Sequence, residues 1–174
     1  MVRLDDALPA LRAALEAGLQ AAAPRPSAPY AVLGTAAEGS ANAAAARKGR
    51  ILLTLAGLRG GAAARNLPPA RAQSGAPAER QAGALEADVL MTADYPGQYL
   101  RGLHMMTRAL DWVHDNPVLS AGGAAGAGAE ADRFMVERVD LGYEEAAALV
   151  GMAGVKGAPF ALLRLRGLSV GGGS

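Results

Sequence analysis

The chain has 174 residues, with 17 Lys and Arg against 16 Asp and Glu, and no Cys. A length of this order suits one domain, which buries roughly 70% of its unfolded surface and needs no disulfide or metal staple. The charge balance excludes the basic field of a nucleic-acid binder, the lack of Cys excludes disulfides, thiolate metal sites and a Cys nucleophile, and no apolar run reaches the roughly 18 residues of a membrane span.

The start, Met1-Val2-Arg3-Leu4-Asp5-Asp6, has two early acids and an amphipathic pattern, unlike a signal peptide, so a cytoplasmic protein is expected. Leu4, Leu8, Leu11, Leu15 and Leu19 recur at helical spacing and predict a helix over 4–22, with Asp5 and Asp6 complementing the dipole of its first turn. Pro24, Pro26 and Pro29 end it. Residues 30–35 read as a short strand. Residues 36–49, mostly Ala with Gly, Ser and Asn, read as a mobile loop. Arg50 to Leu58 is a stronger strand, apolar on both faces. The stretch 59–84 is too long for a hairpin turn and reads as a functional or mobile loop. Leu85 to Ala93 alternates as a strand.

Tyr95-Pro96-Gly97 predicts a turn, followed by the strongest helix, 98–115. Its apolar stripe, Tyr99, Leu103, Met106, Leu110 and Val113, is expected in the core. Asn116-Pro117 stops it. The Ala/Gly run 120–131 reads as a flexible loop. A strand over 134–141, a short helix over 143–152 and a last strand over 160–170 complete the order. The expected fold is α+β: a mixed β-sheet covered by an N-terminal helix, one long central helix and a short helix, forming one domain over residues 1–170. The final Gly171-Gly172-Gly173-Ser174 reads as a linker and is set aside.

Few residues carry chemistry. The glycine-rich run 122–128 follows a helix and precedes a strand, the reverse of a phosphate-binding loop. Gly57, Gly60 and Gly61 follow a strand, but no Lys-Ser/Thr comes after them. They leave a small nucleotide-binding α/β enzyme as the alternative of a different class. His104 and His114 are ten residues apart on one helix and do not share a face, so they do not make a metal pair. Asp111 and Asp115 read as a solvated face, and no Ser sits in a nucleophile elbow. No cofactor or metal is expected, and no catalytic residue is assigned. Trp112 lies off the main stripe and reads as a core-edge or interface aromatic. Arg164 and Arg166 on one strand face, with Arg59 beside another strand end, form either an interface patch or an ordinary wet sheet face.

Read together, Leu90-Met91-Thr92-Ala93, then Gln98-Tyr99-Leu100-Arg101-Gly102-Leu103, then Asp115-Asn116-Pro117-Val118-Leu119 resemble the cap, or tail-terminator, proteins of contractile injection systems. In that family a strand ending LLTA precedes a helix with YLEGL and a turn like NPVL. Further on, Tyr143-Glu144-Glu145, Leu149, Gly154-Val155-Lys156 and Pro159 are similar to the family's LS-EEL--LW--LG-K--P, and residues 160–166 to its closing VLYRVRL strand. Arg65-Asn66 stands at the family's RN position. The resemblance runs over residues 3–170. It departs at Val150-Gly151, where the family carries Trp, and family members often carry a further C-terminal domain.

The resemblance implies a non-enzymatic structural subunit. It would form a homo-oligomeric ring, a hexamer, at the baseplate-distal end of the inner tube and sheath, and stop their growth. Its partners would be sheath and inner-tube proteins, without nucleic acid or a membrane span. Arg59, Arg65, Asn66, Trp112, Arg164 and Arg166 are the candidate contacts. A baseplate or adaptor role in the same particle is the alternative within this class.

Overall fold

A computed structural model of the chain describes residues 2–22, 28–35, 41–60, 84–121, 132–154 and 157–169. Along the chain these form β1 (Val2–Arg3), α1 (Leu4–Ala22), β2 (Ala31–Leu33), α2 (Ala41–Arg47), β3 (Arg50–Gly60) and β4 (Ala84–Asp94). There follow α3 (Tyr99–Asp115), β5 (Val118–Ser120), β6 (Arg133–Val139), α4 (Tyr143–Ala153) and β7 (Phe160–Ser169). The expectations for residues 36–40, 61–83 and 122–131 and for the Gly/Ser tail lie outside the described residues.

All seven strands join one mixed sheet, ordered β2-β3-β4-β7-β6-β5, with β1 pairing to the far end of β7. The β1–β7 and β2–β3 pairs are parallel and the others antiparallel. The sheet curls into a half-barrel, as expected of an α+β fold. Alternation decides its two faces. Ile51, Leu53, Ala87, Val89, Met91, Phe134, Val136, Leu163 and Leu165 point into one hydrophobic core. Helices α1 and α3 close that core with Leu11, Leu15, Leu19, Met106, Ala109 and Val113. The other face carries Leu52, Leu90 and Leu162, which are also buried.

Helix α1 buries the expected stripe, with Leu11, Leu15 and Leu19 inside and Leu4 and Leu8 at the margin. Glu16 on α1 places the next strand. Its carboxylate accepts hydrogen bonds from the backbone N–H groups of Tyr30 (2.7 Å) and Ala31 (2.8 Å), so the chain enters β2 tied to the helix.

Two readings are corrected. Residues 41–47 form a helix rather than a mobile loop. Alanine has the highest helix propensity, Gly49 ends the turn in the left-handed region (φ 72°), and Arg47 is anchored to Asp94 of β4 at 3.2 Å. Helix α3 is rotated from its expected stripe: Tyr99 and Leu103 are exposed, and the buried positions are Gly102, Met105, Met106, Ala109 and Val113. Small residues let the helix approach closely. A Cβ on Gly102 would sit 3.3 Å from the Tyr95 Cβ, and Ala109 is fully buried. The last strand is an inner one. β7 lies between β4 and β6, and Leu165 and its neighbours are covered on both sides.

Candidate assembly surfaces

On the face opposite the core, three basic and three acidic side chains from four adjacent strands interlock. Arg59 of β3 pairs with Asp88 of β4 (2.7 Å), and Arg164 of β7 pairs with the other oxygen of Asp88 (2.8 Å). Arg164 also faces Glu86 (3.8 Å), and Arg166 joins Glu86 (3.6 Å) to Glu137 of β6 (2.7 Å). The strand registers produce this arrangement. Arg59 stands opposite Glu86, Arg164 opposite both Asp88 and Glu137, and the alternation of the strands keeps all six on one face. The carboxylate of Asp88 is only 6% exposed. Burial of such a charge requires both guanidinium partners. The hydrogen bond that Arg164 donates to Asp88 holds the Arg164 pKa above its ordinary value, against the opposing effect of burial.

The structure thus brings Arg59, Arg164 and Arg166 together, as their shared face in the sequence suggested. It also supplies each with acids of its own chain. Arg164 is mostly covered, whereas the side chains of Arg59 and Arg166 remain 59% and 45% exposed. Trp112 sits elsewhere, half-buried where α3 crosses α1, its indole lying over Gly18. Arg65 and Asn66 lie outside the described residues.

The short helix α4 stands over one end of this face, where Glu145 and Leu149 share a cleft of about 320 Å³ with Leu58, Arg59, Leu162 and Arg164. Its N-terminus is held by Glu145, whose carboxylate accepts the N–H of Gly142 at 3.2 Å. The exposed large apolar side chains among the described residues are Tyr99, Leu100 and Leu103 at the start of α3, Leu55 and Leu58 along β3, Leu33 of β2, Val118 and Met135 paired across β5 and β6, and Tyr143 at the start of α4. Sequence periodicity assigned Tyr99 and Leu103 to the core and so missed the first of these.

Chemistry-bearing residues do not converge. His104 and His114 are both exposed, and no group of His, Asp and Glu suited to a metal occurs among the described residues. Gly57 and Gly60 are residues of β3, paired opposite Asp88 and Leu85, not a loop at a helix N-terminus. No helix among the described residues is long and apolar enough to cross a membrane.

A profile of the Pvc16 N-terminal domain matches residues 8–172. The chain belongs to this family. The Pvc16 N-terminal domain match takes in the described strands and helices apart from β1 and the first turn of α1. Among solved structures the chain is similar to the PVC sheath/tube terminator of an extracellular contractile injection system, determined in the extended state by electron cryo-microscopy. The two share 11% identity at a TM-score of 0.55, over 97% of this chain and 57% of the terminator. At that identity the likeness is one of fold, and the chain spans little more than half of the terminator's length. No curated protein sequence matches the chain.

Proposed function

We propose that the chain is a structural terminator subunit of a contractile injection particle, without catalytic activity. The match to the Pvc16 N-terminal domain over residues 8–172 carries this reading, and the fold shared with a sheath/tube terminator supports it. In this proposal six copies form a ring at the baseplate-distal end of the tube and sheath, contact both, and end their growth. The protein works in the cytoplasm, where the particle assembles, and leaves with it. A terminator presents one docking face and no continuation face, and a heterologous contact between copies that closes on itself gives a ring instead of a filament.

The six-charge ladder suits such a surface. It is internally neutral, with three Arg against three acids, so it stays folded alone while Arg59 and Arg166 keep exposed donors for a neighbour. Charges at such a rim contribute specificity more than affinity. Arg164 shapes this surface from beneath, and Trp112, on the helix side where α3 crosses α1, belongs with Arg65 and Asn66 to the wider proposed contact set. A nucleotide-binding enzyme has less support, because Gly57 and Gly60 belong to a paired strand.

The test is particle length. Particles assembled without this protein should show tubes and sheaths of broad, uncontrolled length in electron micrographs, and a label on it should mark the end away from the baseplate. An unchanged length distribution refutes the proposal. A label at the baseplate end establishes the adaptor role instead.

A further inference from the structure

The two most exposed large apolar side chains among the described residues are Tyr143, 90% exposed, and Leu100, 78% exposed. Each sits within a block of one charge sign. From Tyr95 to Leu110 the chain has no acid, and α3 presents Arg101, His104 and Arg108 beside Leu100 and Leu103. From Val139 to Val155 it has no base, and Asp140, Glu144 and Glu145 flank Tyr143 along the chain. Arg101 donates to Gln98 and stacks near the Tyr95 ring, and Arg108 donates to the carbonyl of Ala22. Neither has a carboxylate partner in an ion pair among the described residues. Asp140 has one exposed partner, Arg138.

The blocks lie on different faces of the sheet. Helix α3 covers the core face, while α4 stands over the face of the charge ladder. An exposed apolar residue on a helix that carries Arg101 and Arg108 without carboxylate partners, and one beside Asp140 and Glu144 in the chain, complement each other between copies and not within one copy.

We infer that a second copy of this chain docks here, the start of α3 in one copy against the start of α4 in the next. This inference rests on the reading of the chain as a ring subunit and names the contact. Because the two patches differ, the contact is heterologous and propagates head to tail until it closes. Leu100 and Tyr143 form its apolar centre and the charges set its register.

The absence of Cys makes a direct test available. Leu100→Cys and Tyr143→Cys, combined in one chain, should give on mild oxidation a ladder of disulfide-linked oligomers ending at the closed ring. A mixture of the two single variants should give heterodimers and stop there. Both positions are too exposed to affect folding. Arg101→Glu with Arg108→Glu should weaken self-association about tenfold or more, since like charges then face each other. So should Asp140→Arg with Glu144→Arg, and mixing the two double variants should restore the oligomer in native mass spectrometry.

Cross-links between identical positions only, or a wild-type oligomer indifferent to all four charge reversals, overturn the contact and leave the terminator reading standing. A monomeric wild type whose double-cysteine variant yields no ladder, with or without particles, also overturns it. The terminator reading stands or falls separately, on particle length.

Discussion

Gly18 and Trp112 offer a mutation whose sign depends on the tertiary structure. An exposed helical Gly→Ala change ordinarily stabilises by about 1 kcal/mol through helix propensity. Here a Cβ at position 18 would lie 2.1 Å from Trp112 Nε1 and 2.2 Å from its Cδ1. Carbon contacts sit near 3.5 Å, so the indole must retreat by about 1.3 Å or the two helices must part. A shift of that size belongs in the upper part of the overpacking range, about 3 kcal/mol. Against the propensity gain, Gly18→Ala should therefore destabilise the protein by about 2 kcal/mol, or about 4–8 °C in Tm for a chain of this size. In a Trp112→Ala background the clash is gone, and the same change should stabilise by about 1 kcal/mol. Urea unfolding of the four proteins closes the cycle, with an expected coupling of about 3 kcal/mol. A Gly18→Ala protein more stable than wild type, or a coupling below about 0.5 kcal/mol, would show that Trp112 turns away from α1 and toward solvent or a partner.

Three further substitutions test other parts of the structure. Leu103→Ala should cost less than about 1 kcal/mol in denaturant unfolding, because the side chain is 43% exposed, whereas Leu15→Ala in the core should cost about 2–5 kcal/mol. Asp88→Ala takes its close partner from the mostly covered Arg164, leaving it Glu86 at 3.8 Å, and should cost about 1.5–3 kcal/mol; Arg164→Met added to it should recover part of the loss, and Arg166→Ala alone, at a half-exposed pair, should stay within about 1 kcal/mol. Glu16→Ala removes the acceptor of two backbone N–H groups and should cost about 1.5–3 kcal/mol, with faster amide exchange at Ala31–Leu33 as the local sign; unchanged exchange there would mean that β2 is held by β3 alone.

Much of the molecule was legible in one dimension. Alternation marked β4, because a strand with one buried face repeats every two residues whatever its partners are, and a continuous apolar run marked β3; β6 and β7 were also expected. The Leu repeat marked α1, and Asn116-Pro117 marked the end of α3. The family resemblance rested on the order of these same elements and on the turns between them. The three-residue strands β2 and β5 differ in this respect: β2 was expected, but β5, like the two-residue β1, is too short to show a period and exists only because a longer strand is there to pair with it. The helix over 41–47 has no apolar face of its own and is held by an ion pair to Asp94, a residue 47 positions further on.

Two features were decided by tertiary structure alone. Hydrophobicity placed Tyr99 and Leu103 in the core, but close packing favours the narrower side of α3, where Gly102 and Ala109 let the helix sit against Tyr95 and the sheet. The larger residues are left facing outward, and with them comes the apolar patch proposed for assembly. Likewise, the charges of Arg59, Asp88, Arg164 and Arg166 are visible in the sequence, but their mutual neutralisation is not. It depends on β7 entering the sheet between β4 and β6, a long-range pairing that no local pattern encodes, and on a register in which a shift of one residue would turn every one of these side chains to the opposite face.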